Sequence, residues 1–139
     1  MAEWVTEHSV DTSVARDAIW RVWTDVDQWS AWDPHQLKAR LRGSLRVGAK
    51  GRSKSRGAPP SGFVVTSVTE GEQFATMVRR PFIRLRFDHL LVDIHGGTRI
   101  TERVTISGRL ATAFSRVWGP RIEADLPQTL EALALRAQT

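Results

Sequence analysis

The chain has 139 residues, of which 41% are hydrophobic and 25% charged, with a formal net charge of +5 and no cysteine. That length and balance fit one folded globular domain and exclude a disordered chain, and the lack of cysteine excludes disulfides and thiolate chemistry. Glu3, Glu7 and His8 argue against a signal peptide and no apolar run reaches membrane-spanning length, so a soluble, cytoplasmic protein is expected.

Residues Glu3 to Val10 alternate polar and apolar side chains, a period of two that predicts an opening strand. Asp11-Thr12-Ser13 then offers the side chains that cap helix N-termini. Ile19, Val22, Trp23 and Val26 follow at helical spacing, which predicts a helix over about 14–24 with that face buried. A second short helix should end at Trp32, because Asp33 precedes a proline and avoids helical geometry.

From Leu37 to Gly108 the period is two. Strands are expected over Leu37–Arg42, Lys50–Arg56, Gly62–Thr69, Gln73–Arg79, Ile83–Ile94 and Thr98–Ser107, separated by glycine- and proline-bearing turns. The His95-Gly96-Gly97-Thr98 step is the firmest hairpin signal, since paired glycines supply the positive φ angles of a tight turn. Beyond Gly108 the period is helical again: Leu110, Phe114, Val117, Trp118, Ile122, Leu126, Leu130, Leu133 and Ala137 form one stripe. A straight helix of that length spans about 40 Å, more than so small a domain is wide, so bends are expected at Gly119-Pro120 and Pro127. No β-α-β crossover is available. The class is therefore α+β, with an antiparallel seven-stranded sheet, a long C-terminal helix, and one domain over residues 1–139.

The charge is uneven. Eight of the 20 basic residues and none of the 15 acids fall between Pro34 and Thr69: Lys38, Arg40, Arg42, Arg46, Lys50, Arg52, Lys54 and Arg56. Such a patch attracts nucleic acid, anionic lipid or an acidic ligand, although strand alternation alone also explains the spacing. With no aromatic residue from Lys38 to Arg56 to stack on bases, nucleic-acid binding there would be sequence-blind, weak, and lost near physiological salt.

Thr98, Ile100, Glu102, Val104 and Ile106 share one parity, so Glu102 should point inward with apolar neighbours, and its pKa should rise. On the preceding strand Arg84, Arg86 and Asp88 lie in line with Leu90, Val92 and Ile94, which makes Arg86 a partner for that carboxylate. His89, Asp93 and His95 have the opposite parity and would project from the outer face along one strand, a poor arrangement for a metal. No metal or cofactor is expected. Gly43 and Gly48 have phosphate-loop spacing, but Ala49 stands where the lysine belongs.

Four segments resemble one superfamily: Val10-Asp11-Thr12-Ser13 with Ala18-Ile19-Trp20, the run from Thr24 to Pro34, Gly97-Thr98-Arg99-Ile100-Thr101-Glu102, and Ile122-Glu123-Ala124-Asp125-Leu126-Pro127. Over essentially the whole chain these resemble the START-like (SRPBCC) superfamily, nearest its polyketide cyclase/dehydrase-like branch. The resemblance implies a helix-grip fold, a curved sheet wrapped around the C-terminal helix, holding a deep hydrophobic cavity. Members bind lipids, sterols or polyketides, or cyclise and dehydrate polyketide chains.

A hydrophobic small molecule is thus the expected partner, with Trp32, Phe114, Trp118 and Ile122 lining its cavity and Glu102 and Arg86 fixing its orientation. Ligand would pass between the Gly57–Ser61 loop and the Gly119-Pro120 bend. Were the chain an enzyme of the cyclase/dehydratase kind, Glu102 would be the general acid/base and Arg86 or His35 would stabilise enolate charge. The absence of tyrosine removes a side chain that such cyclases often use. A third possibility is binding of RNA or the ribosome by the basic surface, since some superfamily members with basic surfaces are ribosome-associated or toxins.

Overall fold

A computed structural model describes residues 3–139. The elements run β1 (Glu3–Thr12), α1 (Arg16–Trp23), a 3-10 turn (Val26–Gln28), α2 (Trp29–Trp32), β2 (Gln36–Leu41), β3 (Lys50–Ser55), β4 (Ser61–Thr69), β5 (Gln73–Arg80), β6 (Ile83–Ile94), β7 (Gly97–Ser107) and α3 (Ala111–Ala137). All seven strands join one antiparallel sheet in the order β1-β7-β6-β5-β4-β3-β2. Hairpins make every neighbour except β1, which closes onto β7 from Glu3↔Ser107 to Thr12↔Thr98. This is the expected helix-grip architecture, and the strands fall within a residue or two of where period-two alternation puts them.

The first helix starts later than its cap signal predicts. Asp11 and Thr12 stay in β1, and no side chain caps α1. Asp11 is held across to β7 by a two-pronged pair with Arg99, at 2.8 and 3.1 Å. Thr12 Oγ1 accepts only the Val14 N–H, at 3.3 Å. Backbone pairing with β7 plus a bidentate ion pair outweighs a single capping bond.

The β6–β7 turn needs one positive φ, at Gly96 (82°), and not two. Gly97 is glycine for another reason: a Cβ there would overlap the Thr12 carbonyl of β1.

The concave face of the sheet carries the core. Ile19, Trp20 and Trp23 of α1 pack with Phe74, Leu91 and Ile100 of the sheet and Leu130 and Leu133 of α3. A second cluster joins Ile83, Leu85, Val104 and Ile106 to Ala111 and Leu126. On β6 the inward parity is therefore Ile83, Leu85, Phe87, His89 and Leu91, opposite to the expected one, while Arg84, Arg86 and Val92 face out. The sequence has apolar residues on both parities, and they change over at Asp88. Pairing with β7 runs unbroken from Arg84↔Ser107 to Ile94↔Gly97, so the parity cannot switch midway.

Helix α3 is one continuous element of 27 residues across both Pro120 and Pro127. The carbonyls deprived of a donor belong to Arg116 and Glu123, both exposed, where water can serve them. Its first half turns small residues, Ala111, Ser115 and Gly119, to the interior. A Cβ on Gly119 would come within 3.0 Å of the Trp4 ring of β1. Leu110 and Val117, expected on the buried stripe, face out; Val117 is 71% exposed. Close approach of the helix to β1 rotates Phe114, Trp118 and Ile122 away from that contact and toward the open half of the sheet.

Candidate functional site

Between the sheet, α2 and α3 lies a cavity of about 430 Å³. Six aromatic rings line it: Trp29, Trp32, Phe63, Phe87, Phe114 and Trp118. Trp29 is fixed by donation of its indole N–H to the Trp23 carbonyl at 2.9 Å, and its ring stacks on Phe63 with centroids 6.3 Å apart. Phe114 and Trp118 are four apart on α3 and stack at 6.0 Å, with the Arg121 guanidinium 5.6 Å from the Trp118 ring. Trp20 and Trp23 have a different job: both pack edge-on to Phe74 in the core. Trp20 and Trp23 thus serve the core, and Trp29 and Trp32 of α2 the cavity.

Two ionisable side chains sit opposite one another on the sheet side, Glu102 of β7 and His89 of β6. Glu102 is buried, and burial, then the charge of Asp33, pushes its pKa up to about 8. At neutral pH it is a protonated carboxyl, a hydrogen-bond donor. His89 Nδ1 lies 3.0 Å from the Phe74 carbonyl, which can only accept, so that nitrogen carries the proton. Phe74 also stacks flat on the imidazole at 4.0 Å. Burial holds the His89 pKa down to about 4, against the opposing pull of that hydrogen bond and of Asp88. The imidazole is therefore neutral, with Nε2 left as an acceptor.

A polar rim joins α2 and β2 to the middle of α3. Asp33, buried, accepts the His35 N–H at 2.9 Å and the Thr129 hydroxyl at 3.1 Å, and its pKa is raised chiefly by burial. His35 Nε2 lies 2.9 Å from Gln128 Oε1 and 3.5 Å from Asp125 Oδ1. Arg121 Nε is 3.7 Å from the other oxygen of Asp125. The loop over residues 57–61 meets α3 at this guanidinium: a Cβ on Gly57 would stand 2.6 Å from Arg121 Nη1. On α3 the loop thus faces Arg121, which lies against Trp118, whereas Gly119 of the expected bend faces Trp4.

Of the residues the sequence singles out, Trp32, His35, Glu102, Phe114, Trp118 and Ile122 all line the cavity. Arg86 does not. It lies on the outer face, half exposed, with Nε 3.0 Å from Asp88 Oδ1. The reversed parity of β6 separates it from Glu102 and brings His89 inward instead, while Asp93 and His95, of the same parity, are exposed at the end of the strand. Among the described residues no cluster could hold a metal ion. Sequence reasoning missed Trp29, Asp33, Phe63, Phe87, His89 and Asp125. The Ile83, Leu85, Phe87 alternation was the available signal for two of them; the spacing of Asp33 from Asp125 carried none.

The chain matches the family model described as polyketide cyclase / dehydrase and lipid transport over residues 3–138. No curated protein matches its sequence. The di-domain ARO/CYC StfQ from the steffimycin biosynthetic pathway superposes with a TM-score of 0.81 at 10% identity, over 98% of this chain and 51% of that one. Norcoclaurine synthase from Thalictrum flavum, solved with dopamine and hydroxybenzaldehyde, gives 0.76 at 12% identity, over 99% of this chain and 87% of that one. The hypothetical protein jhp0584 from Helicobacter pylori gives 0.79 at 11% identity, over 98% and 88%. This chain spans about half the length of the di-domain protein. At such identities the structures share a fold, and the family rests on the sequence match. That match covers every element of the sheet and the helix that grips it, and the chain belongs to the polyketide cyclase / dehydrase and lipid transport family of the START-like superfamily.

Proposed function

We propose that the chain binds an apolar small molecule, a lipid, polyketide or similar, in the cavity between sheet and α3. One observation carries this reading: about 430 Å³ of space, inside the range of small-molecule sites, walled by six aromatic rings with a polar rim at one side. Burial against Trp32, Phe114, Trp118 and Ile122 supplies affinity. The protonated Glu102 carboxyl donates a hydrogen bond that fixes orientation, and neutral His89 offers an acceptor beside it. Titration with fatty acids and aromatic polyketides, followed by tryptophan fluorescence, tests the idea. A saturable change weakened by Trp118→Ala is expected; no response to any of these ligands would count against binding.

A second reading is favoured by Glu102 itself. A carboxyl still protonated at neutral pH, with no ion-pair partner among the described residues and beside an aromatic-walled cavity, has the character of a general acid toward a carbonyl or enolate oxygen. With Arg86 on the other face, His35 is the remaining one of the two residues expected to stabilise enolate charge, and His89 joins it in the cavity as an acceptor. Glu102→Gln separates the readings. Turnover of a polyketide-like chain lost while binding survives indicates an enzyme; binding lost with it indicates an anchoring role.

A further inference from the structure

One end of the molecule has a different chemistry from the rest. There the Pro81-Phe82 turn between β5 and β6, the exposed Pro59-Pro60 ahead of β4 and the junction from β7 to α3 meet. The Phe82 carbonyl accepts the Leu110 N–H at 3.0 Å, and Arg80 Nη2 donates to the Pro60 carbonyl at 3.3 Å and Ser61 Oγ at 2.7 Å.

Two features of this tip oppose folding. Phe82 holds φ at +65°, the one positive value outside glycine among the described residues, and its ring is 61% exposed. Glycine would take that angle without strain, and no packing rewards the phenyl. Arg79 and Arg84 stand directly opposite each other across β5 and β6, both exposed and neither with a carboxylate partner among the described residues. Like charges so placed repel.

The surroundings share this character. Leu110, 49% exposed, adjoins exposed Arg109. No acid occurs between Gln73 and Phe87 or between Arg103 and Ile122; Glu3, paired with Ser107, is the acid at this end. Farther out on the same face Lys38 opposes Lys54 and Arg40 opposes Arg52. Away from this tip, on β1, β7 and the rest of β6, cations are neutralised instead, Arg86 by Asp88, Arg99 by Asp11 and Arg103 by Glu7.

We propose that this tip docks onto a lipid surface carrying anionic headgroups. Phe82 and Leu110 enter the boundary between headgroups and acyl chains, while Arg79, Arg84 and Arg109 rest among the headgroups. An apolar point inside a cationic collar is what such a surface rewards: the point gains by leaving water and the collar by meeting negative charge. A nucleic acid would answer the arginines but leave Leu110 and the strained Phe82 unexplained. Ser61, Pro59 and Arg80 belong both to this end and to the cavity lining, so docking would set the ligand's passage against the bilayer. The docking itself is independent of what the cavity holds.

Flotation with vesicles tests it, using phosphatidylcholine alone and phosphatidylcholine mixed with phosphatidylserine, at physiological salt. The protein should float with the mixed vesicles and not with the neutral ones. Phe82→Gly should melt at the same or a higher temperature, because strain is relieved, yet partition about tenfold less onto the mixed vesicles. Arg79→Glu with Arg84→Glu should abolish flotation. Unchanged partitioning of Phe82→Gly would overturn the proposal, as would failure of the unaltered protein to float. Retention on duplex RNA at physiological salt, without flotation, would assign the cations to nucleic acid and overturn it equally.

Discussion

Glu102 and His89 titrate in opposite directions, and the pH dependence of stability follows from the pair. Glu102 moves from an ordinary 4.5 to about 8 on folding. Between those values the unfolded chain has lost a proton that the folded chain keeps, so stability falls as pH rises through the window. His89 moves from 6.5 to about 4, so the unfolded chain gains a proton that the folded chain refuses, and stability is lost as pH falls through that window. The two contributions oppose one another from 4.5 to 6.5, and only the Glu102 loss remains from 6.5 to about 8. Asp33, also raised, acts in the same sense as Glu102, losing stability as pH rises above the ordinary carboxylate range and so opposing the His89 loss. The melting temperature should therefore drop between pH 6.5 and 8, and Glu102→Gln should remove that drop. A profile with the same fall in the variant would show that Glu102 is not its source. Arg86→Ala, by contrast, should cost under about 1 kcal/mol and leave ligand titrations unchanged, because its pair with Asp88 is half exposed and faces away from the cavity. The inward turn of Glu102 was legible from five residues of one parity. The outward turn of Arg86 was not, because β6 carries apolar side chains on both parities and only its pairing with β7 chooses between them.

At the scale of elements, α3 shows how far a sequence stripe can be trusted. From Leu126 to Leu133 the apolar spacing and the buried face coincide, and Leu130 is fully buried. Leu130→Ala should cost about 2–5 kcal/mol, read as a lower denaturation midpoint. Val117 belongs to the same stripe by spacing, yet Val117→Ala should change stability by no more than about 0.5 kcal/mol, because the valine stands in water. A comparable cost at both positions would mean that the first half of α3 packs differently. The Gly97 step makes the same point on the sheet. Its glycine reads as a turn residue, but the constraint comes from β1, 85 positions earlier, pressing its Thr12 carbonyl against that backbone. Gly97→Ala should cost about 1–3 kcal/mol, whereas a purely local turn role would make it nearly neutral.

For the molecule as a whole, the test of the cavity is linkage between ligand and fold. A ligand at a hundredfold excess over its dissociation constant should stabilise the folded state by about 2.7 kcal/mol, seen as a raised melting temperature. Trp118→Ala should reduce that rise, since the indole forms part of the wall together with Phe114 and Arg121. The succession of elements, their periods and turns, and hence an antiparallel sheet with a long helix to cover it, were all legible in the residues. Those features are local: alternation, helical spacing, glycine and proline act over a few residues. The sequence also marked Trp32 on α2, Phe114 and Trp118 on α3, and the inward carboxyl on β7, though not Trp29. Tertiary structure alone decided which parity of β6 faces in, which side of α3 meets Trp4, and that Asp33 and Asp125 share a rim with His35. Each of those depends on contacts between segments tens of residues apart, where register and close approach, rather than the character of any one residue, select the face that is buried.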